Sequence, residues 1–151
     1  MKRLDEIEAL SCVDENSGRV IGRVGGAVIS GDGKKLLGLM IRPKRFLSGE
    51  RFLDFSSVSV IGDVCVLFKK DALKKRGMCP KDRLYIGAGV YGSNGRIIGW
   101  YTNACLDEKS GLVACLEVSM GYIDDFFEGR ILISEFSCSG EGIIAMQTGR
   151  G

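Results

Sequence analysis

Hydrophobic positions along the chain come in short runs separated by glycine-rich turns, which is the pattern of strands rather than helices. Residues 19–30 carry Val, Ile and Gly at strand-like spacing. Gly31-Asp-Gly-Lys then reads as a tight turn, where glycine supplies the positive φ that hairpins demand. Residues 36–42 return as a second long strand ended by Pro43, and residues 52–55 and 64–68 follow, separated by Ile61-Gly-Asp. Further along, the same succession recurs as residues 97–107, the turn Glu108-Lys-Ser-Gly111, and residues 112–119, 130–133 and 142–146.

The recurrence extends to the residues themselves. Ser17-Gly-Arg-Val-Ile-Gly-Arg-Val matches Asn94-Gly-Arg-Ile-Ile-Gly-Trp-Tyr at an offset of 77 positions, and Leu39-Met-Ile meets Leu116-Glu-Val at the same offset. With one inserted residue the offset becomes 78, so that Leu53-Asp-Phe-Ser faces Ile131-Leu-Ile-Ser and Val64-Cys-Val-Leu-Phe faces Gly142-Ile-Ile-Ala-Met. A repeat of this kind is the first thing to settle in a fold argument. Two homologous halves follow, residues 1–76 and 77–151. Gly22 and Gly99 sit inside strands, where glycine marks a bulge or the sharp bend of a small barrel. Five or six short strands per half cannot hide two faces as an open sheet, so each half is expected to close into a small barrel.

Composition agrees with short strands and tight turns. Of 151 residues, 22 are glycine and only 2 proline. No histidine is present, which removes Ser–His–Asp and Cys–His catalysis and imidazole ligands for zinc. The six cysteines lie mostly in apolar runs and form no C-x-x-C pair, so they read as small buried hydrophobes rather than disulfide or zinc ligands. The charged start lacks a signal-peptide core, and no apolar run approaches the ~18 residues of a membrane span. A soluble, cytoplasmic protein is expected.

The formal charge of +2 conceals an asymmetry. Residues 69–83 hold seven basic and two acidic side chains, whereas residues 84–151 hold four and eight. The first stretch reads as a basic linker with a helical turn or two, ended by Gly77 and Pro80. Its lysines either touch RNA or an acidic protein or are simply solvated, and it has none of the aromatics on which RNA bases stack.

Gly87-Ala-Gly-Val-Tyr-Gly92 matches G-x-G-x-x-G, but a turn and strand follow it where a dinucleotide site needs a helix, so it reads as a strand and turn. Gly31-Asp-Gly-Lys-Lys lacks the spacing of a phosphate loop. Two matching loops carry opposite charge: Lys44, Arg45 and Arg51 with Phe46 in the first half, and Asp124, Asp125 and Glu128 with Tyr122, Phe126 and Phe127 in the second. These loops either cap their barrels or meet a partner, and complementary charge would orient such an association. Consecutive acids in one loop rarely converge on a cation, so no metal site is assigned. Trp100 and Tyr101 are neighbours in a strand, so one faces inward and one outward.

These residues resemble a known family. Leu4-Asp-Glu-Ile, Cys12-Val-Asp-Glu-Asn, Val20-Ile-Gly-Arg-Val, Leu37-Gly-Leu-Met-Ile, Phe52-Leu-Asp-Phe and Ile61-Gly-Asp-Val-Cys-Val are similar to the PRC-barrel pattern over residues 3–68. That barrel is found in the cytoplasmic part of the photosynthetic reaction-centre H subunit, in the bacterial ribosome maturation factor and in stand-alone bacterial proteins. The second half keeps Gly95-Arg-Ile-Ile-Gly but has Trp100-Tyr101 where the family has a charged residue and valine, and it closes with Cys138-Ser-Gly-Glu-Gly. The resemblance implies an all-β bacterial protein of two tandem PRC-type barrels joined by a short basic, partly helical linker. It implies a non-enzymatic protein-interaction module with no catalytic residues and no cofactor. Its partner is another protein or a second copy in a homodimer. The alternatives are an RNA- or ribosome-associated maturation factor and a small-ligand or metal-binding barrel.

Overall fold

The computed structural model describes residues 1–45, 49–120, 131–139 and 141–150, the last four of these by their backbone. β1 (Lys2–Arg3) leads into α1 (Leu4–Glu8), whose Leu4 and Ile7 are buried. Then come β2 (Ser11–Asp14), β3 (Val20–Ser30), β4 (Leu36–Pro43), β5 (Arg51–Asp54), β6 (Val58–Ile61) and β7 (Cys65–Phe68). The linker holds β8 (Lys74–Lys75) between two single 3-10 turns, Lys70–Ala72 and Arg76–Met78, and β9 (Arg83–Leu84) ends it. The second half contains β10 (Gly89–Gly92), β11 (Ile97–Leu106), β12 (Val113–Ser119), β13 (Ile131–Cys138) and β14 (Gly142–Arg150). The fold is all-β, and no described helix is long and apolar enough to cross a membrane.

Strands β11, β10, β14, β13 and β12 form a ring closed by the β11–β12 pairing, so the second half is a closed five-strand barrel. In the first half the order β6-β7-β2-β3-β4-β5-β8 stays open. β6 at one end and β5, next to the two-residue β8 at the other, are consecutive in sequence and joined by the 3-10 turn Phe55–Ser57, capped by the Asp54 carboxylate accepting from the Ser56 N–H. The sequence leads to two closed barrels; hydrogen bonds close one of them.

The same registers recur in the two sheets. Cys12 lies opposite Gly22 and Val66, and Val90 lies opposite Gly99 and Ile143. A Cβ on Gly22 would strike the Arg42 carbonyl, and one on Gly99 the Ser119 carbonyl, which is why neither strand admits a side chain there. Register corrects the sequence offset late in the chain. Leu53 and Ile133 occupy matching places opposite Leu39 and Leu116, and Cys65 and Gly142 opposite Ser11 and Gly89. The offset is therefore 80 in β13 and 77 in β14. Placing Val66 against Ile144 would match a buried residue to an exposed one, because a slip of one residue exchanges the faces of a strand.

Each half lends a strand to the other. β1 pairs with β11, and β9 pairs with β3. Between them the two hairpin turns meet: the Leu36 N–H donates to the Gly111 carbonyl at 2.7 Å and the Val113 N–H to the Lys34 carbonyl at 2.8 Å, on either side of a Lys35–Leu112 bridge. Residues from both halves share one apolar core, including Ile29, Leu39, Phe68, Leu84, Tyr101 and Ile133. Arg3 clamps β1 to the second barrel through a bidentate pair with Glu117, at 2.7 and 3.0 Å.

Candidate functional site

A cleft lies between α1, the middle of β3 and the linker. It has a volume of about 660 Å³. Its walls come from α1, the middle of β3, the residue before β5, the linker from Arg76 to Ile86, and Tyr101 of β11. β3 bulges between Val24 and Gly26, and that irregularity opens the wall. The Glu50 carboxylate lies over Gly25, and the space a Cβ on Gly26 would fill is empty to 4 Å. Glu8, from α1, faces the same wall and accepts from the Ala27 N–H; burial nonetheless raises its pKa above the usual carboxylate value.

Tyr101 forms the floor. It is 1% exposed, and its hydroxyl has no hydrogen-bond partner. Burial, with Glu8 adding its charge, pushes that hydroxyl well above the ordinary tyrosine pKa. At the rim, the Arg83 guanidinium stacks over the Tyr85 ring at 4.5 Å and donates to the Cys79 sulfur at 3.4 Å. Among the described residues, no ion pair joins Glu8 or Glu50 to Arg76, Lys81 or Arg83. Among the described residues, the arrangement supplies charge and acceptors without a nucleophile–base pair. Cys12 is no nucleophile either: burial raises its thiol to about 12. No group of three or more potential metal ligands gathers among the described residues.

A second feature lies on the outside of the closed barrel. Tyr91 sits between Ile97 on one neighbouring strand and Ile144 on the other, all pointing outward. Its ring lies across Gly89, which faces Trp100. Tyr91, Ile97, Trp100, Ile144 and Met146 are each between 41 and 65% exposed and form one apolar face. Glu141 stands at the Gly142 end of this face and Arg96 at the Gly92 end, both exposed. In the first half, matching registers place Arg23 where Trp100 stands and Val13 where Tyr91 stands.

Of the residues singled out by sequence, Lys44, Arg45 and Arg51 are exposed at the outer ends of β4 and β5. Phe46, Tyr122, Asp124, Asp125, Phe126, Phe127 and Glu128 lie outside the described residues. Glu50, the one acid of residues 44–51, lines the cleft. The Trp100–Tyr101 question is answered: Tyr101 is inside and Trp100 outside. Of the linker's cations, Lys69, Lys70, Lys74, Lys75 and Arg76 are exposed. The linker is tied to the first half where the Lys70 N–H donates to Asp14 and where Lys74 meets Asp54 at 3.7 Å. Gly89–Gly92 is a strand, as the reading of the glycine motif requires.

No protein-family model matches the chain, and no curated protein matches it.

Proposed function

We propose that the chain is a non-enzymatic interaction module of two tandem PRC-type repeats, residues 1–76 and 77–151, the second of them closed into a barrel, and that its partner is a second copy of itself. The observation that carries this reading is the apolar outer face of the closed barrel. Exposed Trp and Tyr among aliphatic side chains, with Arg96 and Glu141 toward the two ends, is the composition of a protein interface. The charges at the ends favour self-association. A twofold axis through Tyr91 and Ile144 brings Arg96 of one copy onto Glu141 of the other, twice, because an isologous interface repeats every contact. The recurrent registers and exchanged strands support the tandem-repeat part of the proposal.

Sedimentation velocity over a concentration series tests it. Association that rises with concentration in the wild type and disappears in the Tyr91→Ser, Trp100→Ser double variant is expected. A wild type that stays monomeric into the high micromolar range overturns the reading. Binding to ribosomal particles that is lost when Lys74 and Lys75 are neutralised would move the function to RNA.

A further inference from the structure

The cleft is separate from the outer face, and its chemistry is uneven in a way that specifies a ligand. Two carboxylates stand on its β3 side: Glu50 over Gly25, and Glu8, whose charge acts on the Tyr101 hydroxyl. Arg76, Lys81 and Arg83 stand on its linker side, and no ion pair joins the two groups among the described residues. Charges of opposite sign lining one cavity without pairing leave both sets open to a ligand. The Tyr101 hydroxyl adds an independent sign, since buried polar groups are normally satisfied and this one has no partner.

We infer that the cleft binds a small zwitterion, an amino acid or short peptide, with its ammonium among Glu8, Glu50 and Tyr101 and its carboxylate toward Arg76 and Arg83. An ammonium has three donors and needs several acceptors, and the two carboxylates and the hydroxyl line the same cleft. Arginine meets a carboxylate through a planar fork of N–H groups, and Arg83 keeps donors beyond the one aimed at Cys79. Leu4, Met40 and Ile86 complete the wall with apolar surface suited to an aliphatic side chain. The cleft's volume falls in the range of small-molecule sites and exceeds the needs of a single amino acid. A polyamine would set cations against three bases, and a phosphate would face two carboxylates.

Calorimetric titration of the full chain with leucyl-alanine, its N-acetyl form and its C-terminal amide tests this. Saturable binding of the free dipeptide is expected, with each blocked form at least about tenfold weaker. Tyr101→Phe is expected to weaken binding about tenfold while leaving Tm equal or higher, because the hydroxyl it removes makes no bond within the fold. Glu8→Gln should weaken binding similarly, and Trp100→Ser should leave it unchanged, which keeps this result distinct from the self-association test. No saturable binding by the wild type, equal binding of the blocked forms, or an unaltered Kd in Tyr101→Phe would each overturn the inference.

Discussion

β13 runs unbroken from Ile131 to Cys138, while the matching stretch of the first half stops at Asp54, turns through Phe55–Ser57 and resumes as β6. The unbroken strand completes a ring of hydrogen bonds; the broken one leaves the ring open and lets β8 of the linker pair with β5. The difference extends to the surface. The closed barrel presents Trp100 and Tyr91 outward, where the open half has Arg23 and Val13. The lesson is that one strand pattern serves two tasks. The half that closes is free to expose an apolar face, and the half that stays open spends an edge on β8 of the linker.

The largest effect that probes this comparison lies at the paired glycines. Gly22→Ala and Gly99→Ala each put a methyl against a backbone carbonyl and should cost about 3 kcal/mol or more, read from urea unfolding. Similar costs would support equivalence of the two crossings, whereas a mild effect at one alone would break it.

The Arg3–Glu117 clamp comes next, because the first half has Met40 where the second has Glu117. Arg3 is partly exposed, so solvent screens the pair, and Glu117→Met alone should cost about 1–2 kcal/mol. Adding Arg3→Met should recover most of that loss, since replacing both members of an ion pair by apolar side chains is often close to neutral. A double variant no more stable than the single would show that the clamp does more than pair charge.

Much of the architecture was legible in the sequence for one reason: strands of eight or more residues carry enough alternation to be seen. Val20–Ser30, Leu36–Pro43 and Ile97–Leu106 are of that kind. β1 and β9 have two residues each, too few for any periodicity, so the exchange of strands between halves was hidden. Alternation also says that Trp100 and Tyr101 face oppositely without saying which way, because the phase is set by the bulges of β11 against β10 and β12. The offset in the closing strands slipped because Ile and Gly recur too often there to fix a register. Glu8 and Glu50 look like ordinary surface acids in the chain; only the bulge at Gly25 and the docking of α1 bring them to one wall.

A smaller effect separates Tyr101 from Val24, which holds the matching place in β3. Tyr101→Phe removes a buried hydroxyl without a partner and should stabilise the ligand-free protein by about 1 kcal/mol in thermal unfolding. A loss of stability of similar size would mean that the hydroxyl is bonded in solution.

The smallest effect concerns acid. Asp14 accepts from Ser17 and from the Lys70 and Asn16 N–H groups, which holds its pKa below the usual aspartate value. A lowered folded pKa means that its contribution is present above about pH 3.9 and lost as pH falls through the depressed value. The corresponding turn of the second half is held by the uncharged Asn94, accepting from the Arg96 N–H. Hydrogen exchange at the Lys70 amide should therefore accelerate, relative to that at Arg96, below the ordinary aspartate range. Asp14→Asn should abolish the difference, and equal acceleration at both turns would contradict this account.

The central claim is that the closed barrel's outer face pairs with its own copy, and sedimentation equilibrium of a charge-swapped pair tests it most directly. Arg96→Glu and Glu141→Lys should each abolish association, since each places like charges together twice. An equimolar mixture of the two variants should restore it, because both contacts then join opposite charges. Mixed variants that remain monomeric while the wild type associates, or single variants that associate as the wild type does, would contradict the claim.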